Sequence, residues 1–112
     1  MPLFAAIGLD HPPHAMDRRD ANRDAHRAYV WDNDASIRFV GVMLDDDDNQ
    51  CGSFYIFEAD SADDVHAWLD KEPFVQSGVY KDLVVRRFMT GKNLIPEHDW
   101  TIRADKTGEQ CS

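Results

Sequence analysis

Histidine and carboxylate side chains are the groups in this chain best suited to moving protons near neutral pH. His26 lies in a stretch free of proline and glycine, from about Met16 to Asn33. Glu72 stands at a sharp Glu72-Pro73-Phe74 break, followed by Gly78-Val79-Tyr80. A break of this kind would place a carboxylate where a site could form, and a helix carrying His26 could face the same pocket. A carboxylate beside a neutral imidazole fixes its tautomer and stabilises the protonated ring, which suits His26 to act as general base or acid. Such a pair fits proton abstraction beside a carbonyl, isomerisation, or loss of halide from an activated ring. Arg19 and Arg23 precede His26 on roughly the same side of the helix and are candidate anchors for an anionic substrate group. Tyr29 and Tyr80 are further substrate-binding candidates, and Tyr29 could close the pocket or donate a hydrogen bond. Structural roles compete at each position. Glu72 suits an N-cap for a turn starting at Pro73, the arginines could pair with Asp20 or Asp24, and the tyrosines could be core aromatics.

The elements that must position these groups follow from periodicity. Leu3 to Leu9 is apolar on both faces, as in a buried strand. Ala21, Ala25, Ala28 and Tyr29 recur at helical spacing between Arg and Asp residues, with Asp17 at or near the helix start. Ile37 to Leu44 is a second strand, and the acidic run Asp45–Asp48 after it is a solvated loop. Ser53 to Ala59 is a third strand, rich in aromatics. Ser61-Ala62-Asp63-Asp64 resembles a capping box for a second helix with Val65, Trp68 and Leu69 as its buried stripe. Pro73 starts a short turn, Gly78 suits a left-handed stop, and Val79 to Met89 is a fourth strand. The order β-α-β-β-α-β is the split βαβ pattern of ferredoxin-like α+β folds with a four-stranded antiparallel sheet. Residues 1–89 are expected to form this domain and 90–112 a C-terminal extension, partly docked through Leu94, Ile95, Trp100 or Ile102.

A chain of 112 residues suits one domain. Its formal charge of −9 argues against nucleic acid or anionic lipid as the main partner. Cys51 and Cys111 show no metal spacing and read as free thiols of a reducing, cytoplasmic compartment. The apolar start lacks a positive flank and is too short for a signal peptide or a membrane span. The pair His11 and His14 lacks a third ligand, and the Asp45–Asp48 run lacks the glycine and distal glutamate of a calcium loop, so no metal site is expected.

Two helices cover only one face of a four-stranded sheet, yet both faces read as apolar. Ile37, Phe39 and Met43 oppose Val40, Val42 and Leu44; Phe54 and Ile56 oppose Tyr55 and Phe57; Leu83 and Val85 oppose Val84 and Phe88. Burying about four large side chains contributes roughly 1.5–3 kcal/mol each. A homodimer joined through the sheets is therefore expected.

Two segments carry a family resemblance. Arg23-Asp24-Ala25-His26-Arg27-Ala28-Tyr29 and Glu72-Pro73-Phe74-Val75-Gln76-Ser77-Gly78-Val79-Tyr80, at this separation, resemble the paired motifs of the YciI-like family within the dimeric α+β barrel superfamily. The resemblance implies a pocket between sheet and helices and a histidine–carboxylate site at His26 and Glu72, where glutamate replaces the usual aspartate. It also implies a cofactor-free enzyme on a small cyclic or aromatic metabolite, since relatives act on chlorinated hydroxyquinols or related lactones. A non-catalytic metabolite-binding or accessory module of the same fold is the alternative, and a cofactor-independent monooxygenase a further one.

Overall fold

The computed structural model describes residues 2–91. Its elements run β1 (Leu3–Asp10), α1 (Ala15–Asp32), β2 (Ile37–Leu44), β3 (Gln50–Glu58), α2 (Ala62–Asp70), α3 (Pro73–Gln76) and β4 (Tyr80–Phe88). The strands form one antiparallel sheet in the order β2-β3-β1-β4, which is the ferredoxin-like arrangement.

Local chemistry sets the helix starts. Ser61 is extended and its Oγ accepts from the Asp64 N–H at 3.3 Å, opening α2. α3 opens at Glu72, whose side chain accepts from the Phe74 N–H at 3.1 Å, with Pro73 in the first turn. The chain leaves α3 through Gly78 at φ +79, a conformation that suits glycine. In α1, Asp17 lies inside the first turn, where its charge suits the helix dipole, and His14 holds the N-cap position without a side-chain cap.

The inner sheet face builds the core. Phe4, Ala6, Tyr55 and Phe57 pack with Ala59 and with Val65 and Leu69 of α2. Partners directly across the ladder share a face, so Leu83 and Val85 join this side opposite Gly8 and Ala6. The alternation expected for β2 is broken at its start. A register shift between Ile37 and Phe39 puts Ile37 opposite Phe57, on the inner face with Val40, while Phe39 and Met43 face outward. The outer face carries Ile7 between Phe54 and Val84, and Ala5 between Ile56 and Arg86. Ile7 and Val84 are 37% and 39% exposed there.

A second register shift, between Leu9 and Asp10, matters for the site because it sets Asp10 opposite Tyr80. One strand turn earlier, Gly8 lets the Tyr80 ring lie against the backbone: a Cβ on Gly8 would sit 2.7–2.9 Å from that ring. The extension beyond Gly91 and Cys111 lie outside the described residues.

Candidate active site

α1 turns a buried stripe of Arg19, His26 and Val30 toward the sheet and α3. His26 is 1% exposed and Glu72 fully buried. Their contact is direct: His26 Nδ1 lies 2.6 Å from Glu72 Oε1. A carboxylate only accepts, so Nδ1 carries the proton and the neutral ring's base is Nε2. Glu72 therefore serves three donors at once. Its Oε1 caps α3 through the Phe74 N–H and holds His26, and its Oε2 accepts from the Tyr55 hydroxyl at 3.0 Å.

From Tyr55 a polar chain crosses the core. Its hydroxyl lies 2.8 Å from that of Tyr80, and Tyr80 is hydrogen-bonded to Ser53 Oγ at 2.7 Å. Arg19 donates to Ser53 Oγ at 3.0 Å and grips Asp10 with two bonds, Nε to Oδ2 at 2.8 Å and the Nη2 nitrogen to Oδ1 at 2.7 Å. Burial works against the charge on Arg19, but the Asp10 hydrogen bond and neighbouring phenols outweigh it and raise its pKa. Burial, with Tyr80 and Glu72 adding, pushes the Tyr55 phenol well above its usual range. Tyr80 also rises well above it, through burial and Glu72 against the opposing pull of Ser53, Tyr55 and Arg19. Both phenols are donors across the physiological range.

Phe74 stacks on the face of the imidazole. Its ring is parallel to His26 within 3°, centroids 3.9 Å apart, and the Arg19 guanidinium carbon lies 5.2 Å from the same ring. Seven helical residues rise about 10.5 Å at ~1.5 Å each, so one aromatic ring fits between Arg19 and His26 on the α1 stripe.

The candidate residues thus separate. His26, Glu72, Arg19 and Tyr80 come together in one hydrogen-bonded group. Arg23 turns aside and donates to Asp20 at 2.7 Å. Tyr29 donates to the Trp68 carbonyl at 2.6 Å, tying α1 to α2, and its phenol pKa is raised by burial and then by Glu72. Sequence reasoning missed Asp10, Ser53, Tyr55 and Phe74 as members. A signal existed for two of them: Ser53 and Tyr55 alternate on the inner face of β3, where a buried hydroxyl needs a partner. Asp10 gave none, because its placement depends on the register shift.

Similarity searches bear on what this arrangement is. The 5-chloro-2-hydroxyhydroquinone dehydrochlorinase of Burkholderia phenoliruptrix AC1100, solved in complex with 2,5-dihydroxybenzoquinone, is similar at 34% identity and a TM-score of 0.70, over 80% of this chain and 95% of that one. A NIPSNAP family protein of Agrobacterium tumefaciens C58 shares the fold, at 11% identity and a TM-score of 0.51 over 87% of this chain and 98% of that one. A cofactor-independent oxygenase of Streptomyces nogalater aligns at 14% identity and 0.48, over 86% of this chain and 97% of its own, too slight a likeness to bear on function. No curated protein matches in the corresponding sequence search. The model of the YCII-related domain matches residues 3–89, which take in every strand and helix described above. A match of that extent, joined to the dehydrochlorinase likeness, places this chain in the YCII-related domain family.

Proposed function

We propose that this protein is an acid/base enzyme that needs no metal or organic cofactor and removes hydrogen halide from a small halogenated hydroxyquinol or a related ring. The observation that carries the reading is the 2.6 Å His26–Glu72 contact, buried in a chain 34% identical to a dehydrochlorinase. His26 Nε2 is the working base, and Glu72 orients the ring and stabilises its protonated form.

The chemistry balances without an oxidant. One ring hydroxyl loses its proton and becomes a carbonyl as the chlorinated carbon gains a proton. A second hydroxyl then loses its proton, its oxygen electrons form a second carbonyl, and chloride departs with the carbon–chlorine bonding pair. The sum is loss of HCl and formation of a quinone. A single base that takes a proton and returns one at a neighbouring atom serves both steps. Tyr80, at the half-buried end of the phenol pair, is the substrate-side hydrogen-bond candidate. Arg23 and Tyr29 flank His26 on α1, three residues to either side, as the peripheral substrate-binding candidates. Arg19, engaged by Asp10, supplies fixed positive charge rather than a free anchor.

The working unit in this reading is a cytoplasmic homodimer joined through the outer sheet faces. The apolar row of Ile7, Phe54, Val84 and Ile56 supports it. Among the described residues no helix is long and apolar enough to cross a membrane.

Incubation with 5-chloro-2-hydroxyhydroquinone tests the activity. Chloride release by the wild-type protein, lost in a folded His26→Ala variant, is expected. Equal release by that variant would remove His26 from the chemistry. Tight binding of the compound without chloride release would favour a binding module instead.

A further inference from the structure

We propose that Tyr55 is a positioning residue for the His26–Glu72 pair, its hydroxyl holding one carboxylate oxygen and so moderating the pull of the other on the imidazole proton. Only the kinetic arm of this proposal rests on the acid/base reading above.

Glu72 shares its charge among three donors. Oε1 serves the His26 Nδ1–H and the Phe74 N–H, and Oε2 serves the Tyr55 hydroxyl. Tyr55 and Glu72 are both fully buried, so the phenol is a fixed competitor for the carboxylate. Burial keeps Tyr55 protonated, hence always able to donate. Tyr55 spends its proton on Oε2. Tyr80 donates to Ser53 Oγ, which also accepts an Arg19 N–H, and Tyr80 is the donor left for the phenol–phenol contact as well. A proton shared toward the Tyr55 oxygen polarises that hydroxyl and supports its bond to Glu72.

The groups facing Glu72 set the sign of the effect. They are His26 and Tyr29 from α1, Tyr55 from β3 and Tyr80 from β4, while Arg19 of α1, paired with Asp10 of β1, acts on the two phenols. Removing the Tyr55 hydroxyl leaves the other groups in place and withdraws one competing donor. Glu72 then pulls harder on the His26 Nδ1 proton and favours the imidazolium. A base that holds its proton more tightly works only at higher pH.

Tyr55→Phe keeps the ring and removes the hydroxyl. Its His26 Nδ1 proton resonance is expected to move downfield of the wild-type position. The acid limb of kcat/KM for chloride release should move up by as much as about one pH unit, with kcat down and KM held. Tyr80→Phe keeps the Tyr55–Glu72 bond and should move the same resonance in the same direction, by less. An unmoved resonance in folded Tyr55→Phe overturns the proposal whether or not the wild-type protein turns over substrate. If Tyr55→Phe does not fold, an unmoved resonance in Tyr80→Phe overturns it instead. Absence of wild-type turnover with the expected downfield shift would discard the enzymatic reading and keep the positioning role.

Discussion

Raising the pH should unfold this protein through its buried phenols. Tyr55 and Tyr80 both have folded-state pKa values above the ordinary value of 10.0, with burial the leading cause in each. In the unfolded chain they ionise near that ordinary value. Below it both states hold the protons and nothing is lost. Above it the unfolded state releases protons that the folded state keeps, so folding stability falls with pH until the folded values are reached. Each group costs about 1.4 kcal/mol per pH unit in this window. Two groups together remove about 2.7 kcal/mol by pH ~11 and about 5 kcal/mol by pH ~12. Domains of this class hold roughly 5–15 kcal/mol in all, so the two phenols reach the lower end of that range only near pH ~12, and the transition should begin there or above. The assay is phenolate absorbance recorded beside far-ultraviolet circular dichroism. Little phenolate should form while the protein is folded, because the third tyrosine, Tyr29, is raised as well, and the signal should then rise together with loss of helix. A phenolate signal for two tyrosines near pH ~10, with circular dichroism unchanged, would refute the buried hydroxyl chain.

Other consequences are accessible by mutation. Gly8→Ala drives a methyl into the Tyr80 ring and should cost about 1–3 kcal/mol, seen as a lower denaturation midpoint at unchanged m-value. Arg19→Ala strands the Asp10 carboxylate, only 8% exposed, and should cost about 3–5 kcal/mol, with part recovered in the Asp10→Ala double variant. If the proposed dimer forms through the outer sheet face, wild-type protein should sediment as a dimer and Ile7→Lys as a monomer with unchanged circular dichroism; a wild-type monomer at micromolar concentration would dismiss the sheet-to-sheet contact.

Much of the architecture was legible because its signals are local. Pro73 and Gly78 punctuate α3, Ser61 starts α2, and alternation in β3 separates Tyr55 and Phe57 from Phe54 and Ile56. The meeting of His26 with Glu72 was anticipated from two motifs 46 residues apart. What escaped depends on register. The irregularity at Leu9/Asp10 delivers Asp10 to Arg19, and the one after Ile37 turns that residue inward against simple alternation. Helical spacing put Arg19 and Arg23 on one side, yet it could not tell that Asp20 would claim Arg23 while Phe74 wedged beside Arg19. Hydroxyl chains such as Glu72–Tyr55–Tyr80–Ser53 join three strands or turns distant in sequence, so no window of residues displays them.

The tautomer of His26 gives the most direct test. Long-range proton–nitrogen correlation on the ring, recorded where the imidazole is neutral, reports which nitrogen holds the proton. A protonated Nδ1 and a lone pair at Nε2 are expected from the Glu72 contact. A proton found at Nε2 instead, with Nδ1 bare, would contradict Glu72 as its orienting partner and leave the proposed base without its working nitrogen.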